Sequence, residues 1–403
     1  MEKVKLKEIL EVRRGTSLSG KYYSKDGELI RLTLGNFNYP GYGFKENTSK
    51  EDTYFNGEVK QQYILKKGDI ITPLTEQVSG LLGETATIPE NNKYIQSGDI
   101  GLVIPKEEKL DKRFAYYLIS SSMIKKQLDV SSQQTKIRHT SPDKIKDCIA
   151  WIPEKSRQVK IAKILDEIND AIDKNSQINN NLEELIKTIY QRWFIEFEFP
   201  NEEGKPYKSS GDKFVYNDEL KQEIPEGWNV KKITEIANVY QPEIITIKDI
   251  DLNGDYLLYG AGGLMGKYNK FNHEKSAIAI SCRGNCGDTF MTQPKSWING
   301  NVMVVAPIEK YNYKEYIFRS LFKEKIMPLI TGSVQKQITR TNLSNLKLLI
   351  PNKRTLELFE DTVKPYRSKI NLVINENQRL TELKNFLLPL LMNGQINVDD
   401  IEI

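Results

Sequence analysis

Few side chains in this sequence could carry out catalysis. The chain has only three cysteines and two histidines, so a Ser-His-Asp triad or a histidine-rich metal site has almost nothing to build on. Cys282 and Cys286 stand in a Cys-x3-Cys spacing with His273 nearby. A zinc site needs four ligands, and a fourth is missing locally. We therefore predict two ordinary thiols in a strand and turn, and no metal.

A glycine-rich segment, Tyr259 to Gly266, invites comparison with nucleotide-binding loops. A phosphate-binding P-loop would need glycine where Ala261 stands and serine or threonine where Tyr268 stands. A dinucleotide fingerprint would need its third glycine where Met265 stands. We expect this segment to turn the backbone and to allow close approach to a strand or a phosphate.

Polar and basic clusters between short β-like runs are the candidates for contacting DNA. Arginine pairs with guanine, asparagine and glutamine pair with adenine, and basic side chains hold phosphates. Both halves of the chain place such a cluster at a corresponding position, 133–140 and 333–340. A solvated loop is the plain alternative for any single residue. The candidate DNA-contacting residues are Arg13, Arg14, Lys21, Gln133, Gln134, Lys136, Arg138, Arg283, Asn285, Gln335, Lys336, Gln337 and Arg340.

Length and charge limit the classes of protein that fit. The 58 Lys and Arg against 54 Asp and Glu leave a net charge of +4, which excludes a histone-like basic tail but allows a local basic face. At roughly 100–200 residues per domain, two to four domains are expected. The sequence has no apolar run near the roughly 20 residues of a membrane span, and no secretory signal. These features, with the scarce cysteines, predict a cytoplasmic protein without disulfides.

Two long helical stretches position these clusters, and their apolar stripes match. Ile152 precedes the first stretch and Ile350 the second, an offset of 198 residues (350 minus 152). Apolar positions alternate at spacings of three and four, which is typical of a coiled-coil seam, and a buried asparagine in such a seam sets register. The predicted seam and subunit-docking residues are Ile161, Leu165, Ile168, Ile172, Asn179, Leu182, Trp193, Tyr366, Ile370, Asn377, Leu380 and Leu387.

Two details of these stretches leave alternatives open. Pro365 interrupts the second stretch, and we expect it near a kink or a helix start. Tyr190, Trp193 and Phe194 end the first stretch, where they either pack under the following connector or dock a partner helix.

The segments before the two helices also correspond. Ile100–Pro105 matches Val302–Pro307, and both lie among short β-like runs punctuated by Gly, Asn and Pro. The pattern predicts an α+β globule followed by a long helix, and then the same again. Two similar domains held apart by paired helices could bind a linear polymer at two separate places. Duplex DNA is the obvious candidate for such a polymer.

Several motifs make the chain resemble the specificity subunit of type I restriction-modification enzymes. Their order and spacing cover essentially the whole chain, although the first half starts at Lys3–Leu6 without a Pro-Glu-Gly-Trp opening. The motifs are Leu182–Phe194, Phe197–Gly211, Ile224–Val230, the glycine-rich segment and Leu387–Ile396.

The resemblance implies a fold and a division of the chain. The fold is α+β, with two β-rich target recognition domains separated by two long antiparallel coiled-coil helices in a pseudo-twofold internal repeat. The expected boundaries are 1–150 for the first recognition domain, 151–195 for the central helix, 196–223 for a connector, 224–349 for the second domain and 350–403 for the C-terminal helix.

The resemblance also implies a non-catalytic function. Each recognition domain would read one half of a bipartite, asymmetric site in double-stranded DNA, while the helices set the unread spacer and dock two methyltransferase subunits. Restriction and motor subunits complete such complexes. No cofactor is expected on this chain, because S-adenosylmethionine, ATP and Mg belong to the partner subunits. The alternative is a coiled-coil scaffold that assembles two partners without DNA contact; a stand-alone enzyme is a weaker third.

The cluster at 333–340 yields a mutational prediction. Replacing Lys336 should weaken binding to all sequences and reduce the salt slope by about 1, because a phosphate contact carries no sequence information. If Gln335 or Arg340 reads a base, replacing it should cost roughly 1–3 kcal/mol at that single base position. Methylation-sensitive sequencing of cells that carry each variant measures the outcome. An unchanged recognition motif after replacement of the whole cluster would contradict the assignment.

Overall fold

The computed structural model describes residues 1–39, 42–47, 51–76, 80–131, 138–246, 254–284, 286–332 and 336–400. The chain divides into two compact units. Unit 1 comprises Met1–Lys174 together with Asn377–Ile403, and unit 2 comprises Asn175–Glu376. Each unit therefore contains one mixed α+β domain and a stretch of each long helix.

The domain of unit 1 consists of short strands and helices that precede the first long helix. Its strands are β1 (Glu2–Lys5), β2 (Leu10–Arg14), β3 (Tyr23–Ser24), β4 (Ile30–Arg31), β5 (Tyr54–Phe55), β6 (Ile70–Pro73), β7 (Thr75–Glu76), β8 (Ala86–Thr87), β9 (Tyr94–Ile95), β10 (Ile100–Pro105), β11 (Arg138–His139) and β12 (Ile149–Ile152). Its helices are α1 (Leu6–Ile9), α2 (Lys112–Ile119), α3 (Ser122–Ser131) and α4 (Pro142–Lys146), followed by the long α5 (Lys155–Tyr190).

A central sheet with the order β2-β10-β6-β8 organises this domain. A second sheet has the order β3-β5-β4-β9, and β1 pairs with β12 immediately before α5. The apolar residues of β10 alternate between two cores: Val103 packs towards α2, whereas Ile100 and Leu102 pack towards the second sheet. Asp111 caps α2 by accepting hydrogen bonds from the backbone N–H groups of Arg113 and Phe114.

Unit 2 repeats this plan. Its strands are β13 (Phe214–Asn217), β14 (Gln222–Pro225), β15 (Asn229–Lys232), β16 (Ala237–Tyr240), β17 (Tyr256–Gly260), β18 (Gly263–Tyr268), β19 (Ile278–Ser281), β20 (Thr289–Met291), β21 (Ser296–Ile298), β22 (Val302–Pro307), β23 (Ile330–Thr331), β24 (Gln337–Ile338) and β25 (Lys347–Ile350). Its helices are α6 (Ile233–Ile236), α7 (Lys314–Ser320), α8 (Lys323–Ile326) and α9 (Arg340–Ser344), followed by the long α10 (Lys353–Met392).

The sheets confirm the internal repeat. The order β16-β22-β19-β20 in unit 2 corresponds strand for strand to β2-β10-β6-β8 in unit 1. The pair β15 and β25 corresponds to β1 and β12, and each pair lies directly before a long helix. The first half therefore begins with a strand that corresponds to β15, even though it lacks the Pro-Glu-Gly-Trp opening.

The two long helices pack antiparallel within each unit. In unit 1, Asn169 bonds to Lys384 and Ile172 bonds to Asn377, so the residue numbers run in opposite directions. In unit 2, Glu183 bonds to Arg367, and Tyr190 lies against Phe359. The predicted seam residues Ile161, Leu165, Ile168 and Ile370 are buried, whereas Ile172, Leu182, Tyr366, Leu380 and Leu387 are half-buried.

The structure narrows both open details of the helices. Pro365 lies inside α10, which begins at Lys353, so of the two alternatives for this proline the helix start was wrong. After α5 the chain makes a π-helical turn, Gln191–Ile195. Phe194 is buried and Trp193 half-buried in the core of unit 2, next to Phe359. Packing therefore accounts for Phe194, while docking by the half-buried Trp193 stays a prediction.

Among the described residues, every helix is too short or too polar to cross a membrane.

Phe359 of α10 packs against Tyr190 at the end of α5 and against the aromatic residues of the following π-helical turn. Its side chain is 0% exposed, and its ring centroid lies 4.9 Å from that of Phe194. The variant Phe359→Ala should lower the free energy of unfolding by about 3–5 kcal/mol, because the cavity adds to the lost burial. Leu372→Ala on the same helix, where the side chain is 65% exposed, should change it by about 0.5 kcal/mol or less. Urea titration measures both, and equal losses would contradict this packing.

Candidate DNA interface

Three segments of the second domain come together at one place. The first is the glycine-rich turn between β17 and β18, and the second is the turn after β19 that carries Arg283. Ser281 Oγ donates to the carbonyl oxygen of Ala261 at 2.5 Å, which joins these two turns. The third is the segment 336–340, joined to the second by a bond of 3.2 Å from the Ile338 backbone N–H to the Cys282 carbonyl.

The candidate residues on these segments point to solvent. Arg283, Lys336, Gln337 and Arg340 are all exposed, while Ile338 between them is buried and anchors β24. Arg340 begins α9, whose N-cap Thr339 accepts a hydrogen bond from the Asn342 backbone N–H. Asn285 and Gln335 lie outside the described residues. The structure thus gathers the described candidates of the second domain into one surface, which we call the basic surface: Arg283, Lys336, Gln337 and Arg340.

Leu264 and Met265 also belong to this neighbourhood, and sequence reasoning missed them. Both lie on β18 directly after the glycine-rich turn, with exposed fractions of 54% and 39%. Gly263 has φ +87°, and a Cβ placed there would meet nothing within 4 Å, so the turn is open on this side. Large apolar side chains beside basic residues are suited to contact thymine methyl groups. The signal in the sequence was a Leu-Met pair following a turn, where polar residues are expected.

Arg138 of the first domain is held by two carboxylates. Its guanidinium forms ion pairs with Glu76, which is buried, and with Asp129 at 3.1 Å. The pairing of β11 with β7 places Arg138 directly opposite Glu76. Its neighbours in the predicted cluster, Gln133, Gln134 and Lys136, lie outside the described residues. Arg138 therefore stays a predicted DNA contact, with an ion pair that DNA would have to open.

Arg13, Arg14 and Lys21 occupy different environments. Arg13 donates to the carbonyl oxygen of Gln62 at 2.8 Å and is half-buried. Arg14 follows it on β2 and is exposed, as expected where side chains alternate along a strand. Lys21 is exposed, with Nζ 4.6 Å from the ring centroid of Tyr22. Arg14 and Lys21 are thus available to a ligand, whereas Arg13 is committed to its own domain.

The cysteines and His273 do not form a common site. Burial raises the pKa of the Cys282 thiol, which lies directly after β19. His273 Nε2 is 2.8 Å from the Tyr240 hydroxyl, and burial lowers the pKa of its imidazole. In the part of the chain that the structure describes, His, Cys, Asp and Glu side chains form no group that could hold a metal ion.

Polar residues interrupt the helix seam in unit 1. Asn377 Nδ2 donates to the Ile172 carbonyl at 3.3 Å, and Lys384 Nζ donates to Asn169 Oδ1 at 2.6 Å. Lys384 is 0% exposed, and Nζ lies 3.3 Å from the ring centroid of Tyr42. In unit 2, Asn179 Oδ1 is buried without a hydrogen-bond partner among the described residues. The two asparagines of the seam are therefore not equivalent, because only Asn377 has a described bond across it.

The sequence is similar to a family model and to known proteins of a single family. A family model described as the type I restriction modification DNA specificity domain matches residues 1–184 and 225–384. The MjaIX specificity subunit of Methanocaldococcus jannaschii is 26% identical over 326 residues, which cover 74% of this chain and 72% of that protein. The HindI specificity subunit of Haemophilus influenzae is 20% identical over 405 residues, which cover 82% and 87%.

A solved structure shares the fold. The type I restriction-modification S subunit from M. genitalium aligns with 97% of this chain and 96% of its own, with a TM-score of 0.53 at 15% identity. At this identity the likeness supports the architecture and says nothing of individual contacts.

The buried Lys384 gives unit 1 a pH dependence. Burial lowers the pKa of Lys384 from its ordinary 10.5 to about 7, although Glu84, Asp173 and Asp166 oppose this change. Between these values the unfolded chain binds more protons than the folded one, so Lys384 makes the free energy of unfolding rise with pH from about 7 to 10.5. Below about pH 7 the amine is charged in both states.

We predict that Lys384→Met removes this rise. The difference in free energy of unfolding, wild type minus variant, should increase with pH over that window. Urea titrations at several pH values measure it, with Lys163→Met, an exposed lysine of α5, as the matched control. A pH-independent difference between wild type and Lys384→Met would contradict the prediction.

Proposed function

We propose, since the chain belongs to the family of type I restriction-modification DNA specificity subunits, that it selects the DNA sequence on which its enzyme complex acts. Each recognition domain reads one half of a bipartite, asymmetric site in double-stranded DNA. The two long helices set the length of the unread spacer between the half-sites.

The internal repeat carries this proposal. Both units have the same central strand order and the same strand pair before a long helix. Two domains of one design suit two separate stretches of DNA, whereas a single active site would need only one. The chain therefore carries two DNA-recognition domains, each followed by a long helix.

The basic surface is the proposed contact of the second domain with its half-site. Lys336 is suited to hold a phosphate, and Arg283, Gln337 and Arg340 can reach base edges with the donors that guanine and adenine require. Arg14 and Lys21 are exposed candidates of the first domain. Arg138 joins them once its ion pairs with Glu76 and Asp129 open.

Specificity subunits of this family act in complexes with other subunits and DNA. We propose that this chain has no catalytic activity of its own and docks two methyltransferase subunits on its helices, with restriction and motor subunits in the full complex. S-adenosylmethionine, ATP and Mg would then be bound by the partners. The competing hypothesis, a scaffold that never touches DNA, predicts a complex with the methyltransferase that binds DNA no better than the methyltransferase alone.

A heptad insertion tests whether the helices set the spacer. Seven residues inserted after Lys174 and seven after Glu376 add about 10 Å to each helix and preserve the seam pattern. In complex with its methyltransferase, the variant should methylate a site whose unread gap is longer by about 3 base pairs, at 3.4 Å per pair. Methylation-sensitive sequencing measures both the gap and the half-sites.

The outcomes separate the parts of the proposal. Unchanged half-sites with a longer gap support it, and altered half-sites at an unchanged gap would refute the spacer role. Seven residues inserted into the connector, after Ser210, are the matched control and should leave the gap unchanged.

A further inference from the structure

Each recognition domain contacts the long helices through the helix that follows its central strand. These helices are α2 in unit 1 and α7 in unit 2, and they begin at Lys112 and Lys314. The strands before them, β10 and β22, begin at Ile100 and Val302 with the same offset of 202 residues (302 minus 100). The two domain helices can therefore be compared position by position.

The long helices can be compared in the same way. α5 begins at Lys155 and α10 at Lys353, an offset of 198 residues (353 minus 155). Four pairs of corresponding positions follow from the two offsets. They are Arg113 and Glu315, Tyr117 and Arg319, Asp166 and Lys364, and Asn169 and Arg367.

In unit 1 the domain presents a cation and a phenol to the helices. Arg113 Nη1 lies 3.1 Å from Asp166 Oδ2, and the Tyr117 hydroxyl donates to Asp166 Oδ1 at 2.6 Å. Asn169 Nδ2 donates to the Tyr117 hydroxyl at 2.7 Å and its Oδ1 accepts from Lys384, so one chain of bonds crosses both long helices. Tyr117 is 1% exposed, whereas the side chains of Arg113 and Asp166 are 49% and 30% exposed, so the phenol is buried and the ion pair lies at the edge of the contact. We call this set of residues junction 1.

In unit 2 the same positions carry a buried ion-pair network. Arg367 of α10 donates to both carboxylate oxygens of Glu315 at 2.8 Å. Arg319 bonds to Glu315 at 2.9 Å, and both arginines also bond to Glu183 of α5. Burial acts to raise the pKa of Glu183, but Arg367 and Arg319 outweigh it and hold that pKa below its ordinary value. We call this set junction 2.

The charge is reversed between the junctions at the position shared by Arg113 and Glu315. There junction 1 sets a domain arginine against the helix carboxylate of Asp166, whereas junction 2 sets a domain carboxylate against the helix arginine Arg367. Junction 2 also contains a domain arginine, Arg319, bonded to the helix carboxylate of Glu183. The residues that the other long helix contributes also differ between the junctions. Lys384 of α10 in junction 1 corresponds to Ile186 of α5, an offset of 198 residues (384 minus 186). Glu183 of α5 in junction 2 corresponds to Thr381 of α10 at the same offset. A domain placed on the other stretch would therefore bring Glu315 against Asp166, or Arg113 against Arg367.

We propose that junctions 1 and 2 form an orthogonal pair, in which each recognition domain docks only on its own stretch of the two long helices. Like charges brought together in a contact are unfavourable, and a charge that loses its partner in the largely buried junction 2 is strongly so. Oppositely charged residues at corresponding positions are a means of excluding the wrong pairing. The order of the two half-sites in the recognised DNA then follows from the junctions, and this last step rests on the proposed function.

The first experiment reverses one side of junction 1 in the full-length chain. Arg113→Glu should speed hydrogen exchange of the α2 amides by about 5-fold or more, because docking of this helix protects them. Adding Asp166→Lys should bring the rate back to within about 2-fold of wild type, since the pair is restored with reversed polarity. Lys126→Glu, which reverses an exposed charge on α3, is the matched control and should leave the α2 amides unchanged. No effect of Arg113→Glu, or a double variant no slower than the single one, would overturn the proposal.

The second experiment transplants junction 2 into unit 1. The domain half is Arg113→Glu with Tyr117→Arg, and the helix half is Asp166→Lys, Asn169→Arg, Thr381→Glu and Lys384→Ile. Each half alone should lose α2 protection or fail to fold, and the complete transplant should recover a folded unit 1. A complete transplant that is no better protected than either half would overturn the proposal.

Neither readout needs DNA, so the docking inference and the proposed function can fail separately. A complete transplant that docks and still methylates the wild-type motif supports both. Intact docking without DNA binding by the wild-type complex would count against the proposed function alone.

Discussion

Each recognition domain is closed by a short antiparallel ladder, and the rest of the molecule depends on it. β1 pairs with β12 from Glu2 opposite Ile152 to Lys5 opposite Ile149, and β15 pairs with β25 in the same manner. The ladder joins the first strand of a domain to the strand that leads into the long helix. Because only two residues separate β12 from α5, the ladder fixes where the helix leaves the domain. The helix then carries both the apolar seam and the polar contacts that hold the domain in place.

Much of this architecture could be predicted from periodicity. Apolar residues that recur at alternating spacings of three and four residues identify the buried side of a helix. Leu165 and Ile370, which belong to this pattern, are indeed buried. The match between Ile100–Pro105 and Val302–Pro307 correctly predicted two corresponding segments, which are the strands β10 and β22 at the same place in their sheets. Periodicity alone left two alternatives for Pro365, a kink or a helix start. The helix continues through this proline, because the missing backbone hydrogen bond at one position is outweighed by the packing of a long helix.

Other features depend on contacts between residues far apart in the chain. Lys384 occupies a seam position where an apolar residue is expected, and its partners Asn169 and Tyr42 lie more than 200 residues away. The basic surface was predicted as separate segments, and only the bonds from Ile338 to Cys282 and from Ser281 to Ala261 bring them together. Composition could not reveal the junctions either, because opposite charges at corresponding positions cancel in the net charge.

Arg138 shows how an ion pair changes the meaning of a predicted contact. A lysine in open solvent that meets a phosphate displaces the cations condensed on the DNA, and this release drives non-specific association. Arg138 is already neutralised by Glu76 and Asp129, so on meeting DNA it would exchange a carboxylate for a phosphate or a base edge with little gain in net attraction. As a DNA contact, such a side chain would add little to the general affinity for DNA. It would instead favour particular sequences, because only a sequence that offers a geometry better than that of its own carboxylates would draw it away.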